Sequence, residues 1–195
     1  MADRRTEIVE TALGLVQEEG LAGLTQPRVA KQLGLRQSHV TYYFPTRDEL
    51  LAAVTELAVQ RRVTSLDAMR RARTLQQKVR ALAKVLADPE QTRVLLALTQ
   101  MSDSTPALRS HFRALSDGIT PAATSVLQAA GAEVSAEAVA LLQTASTGLA
   151  IVALATGNTD EKPVISLLTH LLDTLPKSPA TKSSGASAMD QKPPT

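Results

Sequence analysis

The sequence predicts an all-α protein, with a bundle of short helices at the N-terminus and a longer helical part behind it. Three observations carry this. Apolar residues recur at i, i+4 and i+7 or i+8 along nearly the whole chain, and no strand-like alternation persists. Capping residues stand before these runs, and Gly or Pro stands after them. Hydrophobic residues make up 44% of the 195, enough for a real core over most of the length.

Taken in order, the first helix is expected from about Asp3 to Glu19. Ile8, Val9, Ala12, Leu15 and Val16 share its face, and Gly20 is its stop. After the turn Leu21-Ala22-Gly23-Leu24, Thr25 is a good N-cap for the second helix, whose first turn tolerates Pro27 and which Gly34 ends. The third spans about Gln37 to Tyr43, because Pro45 forbids a continuous helix. Thr46-Arg47-Asp48-Glu49 forms a capping box and opens a long fourth helix expected to reach Arg71 or beyond. Another runs from about Leu75 to Leu86, and Asp88-Pro89-Glu90 opens the next. Ser104 or Thr105, with Pro106, opens a helix whose apolar spacing continues through Pro121, which predicts a kink rather than two helices, and Gly131 ends it. Ser135 caps a helix to about Thr156, and the last follows Pro163 and ends near Leu175. The expected domains are 1–46 and 47–175, with a disordered tail at 176–195.

Composition excludes several classes. The absence of cysteine rules out disulfides, thiolate metal sites and cysteine nucleophiles, and fits a reducing compartment. No apolar run is read as approaching the roughly 18 residues of a membrane span. Met1-Ala2-Asp3-Arg4-Arg5 leads into an amphipathic segment rather than an apolar signal core, so a cytoplasmic protein without a membrane partner is expected. His39, His111 and His170 have no metal-ligand spacing, and there is neither a Gly-rich phosphate loop nor a Ser-His-Asp order. No cofactor, metal or enzymatic activity is expected. The net charge of +2 is unevenly spread. Arg61, Arg62, Arg70, Arg71, Arg73, Lys78, Arg80 and Lys84 face one acid, Asp67, and an acidic body follows. This belt reads either as a solvated helix face or as long-range attraction to a polyanion.

Residues 26–44 form two short helices around a tight turn, as a helix-turn-helix requires. Ala30 allows the close approach, and Gly34 suits a left-handed turn. Val29, Leu33, Leu35 and Val40 are expected as the pair's private core. The remaining face of the third helix (Gln37, Ser38, His39, Thr41) is too polar for a core element and suits the major groove of DNA. Of the chain's two Tyr and two Phe, three are consecutive. Phe44 is expected to pack in the core, while the hydroxyls of Tyr42 and Tyr43 suit phosphate contacts.

Helix 1, Gly20, Thr25, Val29-Ala30, Leu33-Gly34-Leu35, Val40, Tyr42 to Arg47 and Leu50 together resemble the N-terminal domain of the tetracycline-repressor (TetR) family over about residues 5–55. The resemblance implies a helix-turn-helix DNA-binding domain joined to a C-terminal helical ligand-binding and dimerisation domain. It implies a homodimer, with the last two helices forming a four-helix interface. By position, Thr25, Gln26 and Arg28 fall to phosphates, with Arg28 in reach of a base. Gln37, Ser38 and His39 fall to base edges; Thr41, Tyr42 and Tyr43 to the backbone; Arg47 and its helix N-terminus to a phosphate. Arg36 stands where the family often has Ser, adding a cation and losing a cap. Thr41 stands where Tyr is frequent. The acids Glu7, Glu10, Glu18 and Glu19 are placed on the far side of helix 1.

Residues 51–175 hold one aromatic, Phe112, which favours an aliphatic or small polar effector over a planar one. Met69, Leu98, Met101, Phe112, Leu142 and Val152 are candidate cavity walls, and Gln100, His111, Gln143, Thr144 and Thr147 candidate polar handles; simple packing is the alternative for each. Small residues such as Ala145, Ser146 and Gly148, with Leu141, Leu149, Leu167, Leu168, Leu171 and Leu172, suggest either a tight dimer face or monomer core. Two recognition helices are needed to read two half-sites about 34–36 Å apart. The expected function is a ligand-responsive, sequence-specific DNA-binding regulator, a homodimeric repressor on a palindromic double-stranded operator. The effector would act by moving helix 4. The alternatives are a helical interaction protein that keeps the fold without DNA binding and, least supported, an enzyme using His111.

Overall fold

The computed structural model describes residues 3–178. The helices are α1 (Arg4–Glu19), α2 (Gln26–Gln32), α3 (Gln37–Tyr43), α4 (Arg47–Ser65), α5 (Asp67–Arg71), α6 (Leu75–Leu86), α7 (Pro89–Ser104), α8 (Arg109–Ala129), α9 (Ala136–Thr156) and α10 (Glu161–Thr174). Short 3₁₀ turns, Leu21–Gly23 and Pro106–Leu108, precede α2 and α8. There is no strand among the described residues beyond one isolated bridge, Ala132 to Lys177.

The helix ends follow local chemistry. Thr46 Oγ1 accepts from Glu49 N at 3.2 Å while Glu49 Oε2 accepts from Thr46 N at 3.4 Å, which is the expected capping box. Thr74 and Gln77 form a second one at the start of α6. Asp88, Ser135 and Asp160 cap α7, α9 and α10. Gly34 has φ 66°, and the N–H groups of Leu35 and Gly34 return to Ala30 and Lys31 carbonyls at 2.8 and 3.1 Å. That is a Schellman closure of α2, open to glycine because it needs the left-handed region.

Three expectations are corrected. The long fourth helix does not reach Arg71 unbroken: it ends at Ser65, and Leu66, buried, turns the chain into α5. The last helix begins at Glu161, before Pro163, because a first-turn N–H has no helical partner to lose. The predicted tail is described as far as Ser178, where Glu133 N donates to Pro176 O and Ser178 N to Gly131 O at 2.8 and 2.9 Å. Residues 179–195, the rest of that tail, lie outside the described residues. α8 runs continuously through Pro121, held on either side by buried Leu115, Ala122, Ala123 and Val126.

Two apolar clusters organise the chain. The first joins α1–α4 with Val94, Ala97, Leu98 and Met101 of α7. The second joins Leu66 and α5 with α6, α8, α9 and α10, and Ile119 of α8 touches both. α8 crosses α4 at Gly118, where a Cβ would lie 2.5 Å from Val63 Cγ2. Val63 is branched at Cβ and stiff, so that contact has little room to yield. Gly118→Ala is expected to lower stability by about 1–2 kcal/mol, because overpacking outweighs the gain in helix propensity. Val63→Ala in the same chain should recover most of it. Thermal melts of both single variants and the double variant check this.

Candidate nucleic-acid interface and internal cavity

The helix pair is built outward from a buried anchor. Phe44 is buried at the end of α3, with the Arg5 guanidinium 5.0 Å from its ring centroid. Gln26 Nε2 donates to Phe44 O at 2.7 Å, tying the start of α2 to the end of α3. Val29, Ala30 and Val40 are buried, but Leu33 and Leu35 only half-buried. The core of the pair is thus not private. Seven-residue helices carry too little apolar surface, and Val29, Ala30, Leu33 and Val40 share a cluster with α1 and α4.

Around the anchor, most of the predicted reading face is exposed, while Gln26, Thr41 and Tyr43 are half-buried. Arg36, Gln37, Ser38, His39 and Arg47 are exposed, and Tyr42 is 80% exposed. Tyr43 is half-buried, its ring edge-on to Tyr42 with centroids 5.2 Å apart. Thr25 caps α2 through Arg28 N at 3.4 Å. Arg36 occupies the N-cap position of α3 without a side-chain cap. Thr41 Oγ1 donates to Gln37 O at 3.1 Å, so its proton is already engaged within the helix.

The electrostatics differ from the sequence expectation. Glu19 is not on the far side: it pairs with Arg28, whose hydrogen bond holds the Glu19 carboxyl below its usual range and raises the Arg28 guanidinium. The basic belt does not form one cationic face. Arg61 pairs with Glu10, Arg70 and Arg71 with Asp67. Lys78 is buried, and its Nζ donates to Ser125 Oγ at 2.7 Å and to the carbonyls of Met69 and Arg70 at 3.1 and 3.3 Å. Arg62 points inward.

The C-terminal helices enclose a cavity of about 340 Å³. Of the expected wall and handle residues, Met69, Phe112, Leu142, Gln143, Thr144 and Thr147 line it. Exposed Phe112, Thr144 and Thr147 mark where it meets solvent. Gln143 Nε2 is braced to Ser116 O and Thr120 Oγ1 at 3.4 and 3.3 Å. The others are elsewhere. Leu98 and Met101 are buried in the first cluster, because that side of α7 faces α1 and α4. Gln100 is exposed, Val152 is 60% exposed on the outside of α9, and His111 is not in the wall. His111 Nδ1 is buried without a hydrogen-bond partner among the described residues. Arg62, Leu66, Leu82 and Leu86 were missed. The signal for Arg62 was present: it precedes Leu66 and Met69 by four and seven residues, on one helical face.

The suggested dimer face divides. Leu168 and Leu172 are buried within one chain against α6 and have no surface left to offer. Leu141 and Leu167 are 47% and 53% exposed, Gly148 is exposed, and Ala145, Leu149 and Leu171 are half-buried. Contrary to expectation, α9 is long and apolar enough by composition to cross a membrane, with a mean hydropathy of 1.8. Its Ala, Leu, Val and Ile residues raise the average, while Gln143, Thr144, Ser146 and Thr147 interrupt the apolar run. Here it packs on α6, α7 and α8, and 28% of that segment is buried.

Comparison with known proteins agrees with this architecture. The family model for bacterial regulatory proteins of the tetR family matches residues 8–54, and that for the tetracyclin repressor-like C-terminal domain matches residues 69–174, over half of the chain. An uncharacterised HTH-type transcriptional regulator in the dhlA 5′ region of Xanthobacter autotrophicus is 41% identical over 59 residues, 30% of this chain and 29% of that protein. The match thus spans less than a third of that curated relative. A transcriptional regulator from Rhodococcus sp. Rha1 superimposes with a TM-score of 0.74 at 21% identity, covering 89% of this chain and 96% of its own. The multidrug binding protein EbrR, solved with proflavin, has a TM-score of 0.61 at 23% identity, covering 87% and 99%. With both halves matched and the reading helix exposed, the chain belongs to the tetracycline-repressor family of DNA-binding transcriptional regulators, which are not enzymes.

Proposed function

We propose that the protein is a homodimeric repressor that holds a palindromic operator in the bacterial cytoplasm, at the nucleoid, and is released when a small molecule fills the cavity. The observation that carries this reading is the placement of α4. Its capped N-terminus follows the α3 anchor, and its far end supplies Arg62 to the cavity wall, with Leu66 at its terminus. A ligand with different affinity for two positions of α4 would shift the separation of the two reading helices.

The exposed apolar face of α9 and α10 (Leu141, Ile151, Val152 and Leu167, with Gly148 allowing close approach) supports a second copy as its cover. In this reading Arg36, Gln37, Ser38 and His39 face base edges. Thr25, Tyr42, Tyr43 and Arg47 hold phosphates, while Gln26 chiefly braces the pair. EbrR is described as a multidrug binding protein in complex with proflavin. With Phe112 the one aromatic in its wall, this cavity favours an aliphatic or small polar effector instead.

Selection of bound DNA followed by nuclease footprinting tests the reading, which predicts a two-fold symmetric protected site. A protein that selects no sequence would overturn it. Tyr42→Phe should leave the melting temperature unchanged and weaken operator binding about tenfold, by loss of a hydrogen bond to a charged group. Glu19→Gln frees Arg28 and removes an acid from the interface, so affinity should rise and the salt dependence steepen by about one phosphate contact in fluorescence-anisotropy titrations. Val152→Asp should shift the protein from dimer to monomer in analytical ultracentrifugation.

A further inference from the structure

The cavity wall contains a cation without an ion-pair partner among the described residues. Arg62 is partly buried, and desolvation lowers the pKa of its guanidinium. A guanidinium carries five N–H donors. Here Nη1 donates to Gln91 Oε1 at 3.4 Å. Asp88 is near enough to favour the charge, but its Oδ1 caps α7, accepting from Glu90 N at 2.9 Å and Gln91 N at 3.4 Å. It forms no ion pair with Arg62, and among the described residues no other carboxylate does. Exposed Arg28, Arg61, Arg70 and Arg71 are all paired, where a pair contributes little. The arginine at which a partner would matter most has none.

The rest of the wall sets what accompanies that charge. Leu82, Leu86, Leu115, Ile119, Val126 and Leu142 form an aliphatic lining, with the Ser116, Thr144, Ser146 and Thr147 hydroxyls and the Gln143 amide as the other, uncharged donors. A volume of about 340 Å³ is at the small end for ligand pockets. Arg62 is the single charged residue in the wall. One guanidinium matches one carboxylate in a two-point fork; a doubly charged phosphate would be left half-neutralised.

We infer that the cavity takes a small aliphatic carboxylate, its head on the Arg62 guanidinium and its chain along Leu82, Leu86 and Leu142. This rests on the reading of the cavity as an effector site and adds the charge and class of the effector. The anion would reach Arg62 at the end of α4, so binding would act directly on the helix that leads to the DNA face.

Isothermal titration of the full-length protein with octanoate, 1-octanol and octylammonium tests it, with ¹³C-methyl spectra of the methionines locating the site. Octanoate should bind about tenfold more tightly than 1-octanol, from the charge-assisted fork, and octylammonium most weakly. The Met69 methyl, in the wall, should shift, and the Met101 methyl, in the other cluster, should not. Arg62→Met should abolish the preference for octanoate while keeping the affinity for octanol. Arg62→Gln, which keeps a polar group beside Gln91, serves as the second variant and should lose the preference equally. Octanol binding as tightly as octanoate at Met69 would overturn the anion assignment and leave the cavity as a ligand site. Binding of neither compound, or shifts spread over surface methyls alone, would overturn both. The comparison of octanoate with octanol on the unsubstituted protein decides the question even if both variants fail to fold.

Discussion

α4 is shared between the two halves of the molecule, and most of the architecture follows from that sharing. Its Leu50, Leu51, Val54 and Ala58 complete the core of the small N-terminal helices, which could not bury enough surface alone. Its C-terminal end, through Leu66, enters the second core. Nineteen residues of unbroken helix span about 28 Å, which makes it a stiff strut between the DNA face and the cavity. The close crossing of α8 at Gly118 and Val63 fixes where that strut sits, and Arg93 Nη1 of α7 donates to Gln17 O at 3.0 Å to hold α1 on the other side. A change at the cavity therefore meets a rigid element rather than a loop.

Charge is spent locally in this protein. A count of basic residues along the chain suggests a cationic belt, yet the structure divides that belt among surface pairs, one buried Lys78, one inward Arg62 and the exposed Arg73, Arg80 and Lys84. Sequence neighbours on a helix point in different directions, so Arg61 and Arg62 have opposite fates: one meets Glu10 across the α1–α4 interface, the other a greasy cavity. On the helix-turn-helix itself the cations are few, on α2, the start of α3 and the start of α4, and one of them, Arg28, is paired with Glu19. In the proposed reading, such pairing lowers non-specific attraction and leaves discrimination to the polar side chains of α3.

α9 shows why composition misleads about membranes and interfaces. Its mean hydropathy comes from Ala, Leu, Val and Ile spread over its faces, with Gln143, Ser146 and Thr147 turned to the cavity. A helix apolar all round must be covered all round. Within one chain it is not, which is the physical basis for the proposed second copy along Leu141, Ile151 and Val152.

Sequence alone determined what depends on local chemistry. The bounds of α3, the stop at Gly34, the capping box at Thr46 and the starts of α7 and α9 are decided by backbone sterics and by hydrogen bonds a few residues apart. The exposure of His39 and Tyr42 followed from the same pattern, because a polar face has nothing to gain from burial. Tertiary structure decided what depends on which faces meet. It sent Leu98 and Met101 to one core and Met69 to the other, buried Leu168 and Leu172 in the monomer, broke the fourth helix at Leu66, and brought Glu19 to Arg28. An apolar residue is written alike in the sequence whether it lines a core, a cavity or an interface. Only the packing of helices distant in the chain tells these apart, as it does for Arg62, an ordinary basic residue until the cavity closes around it.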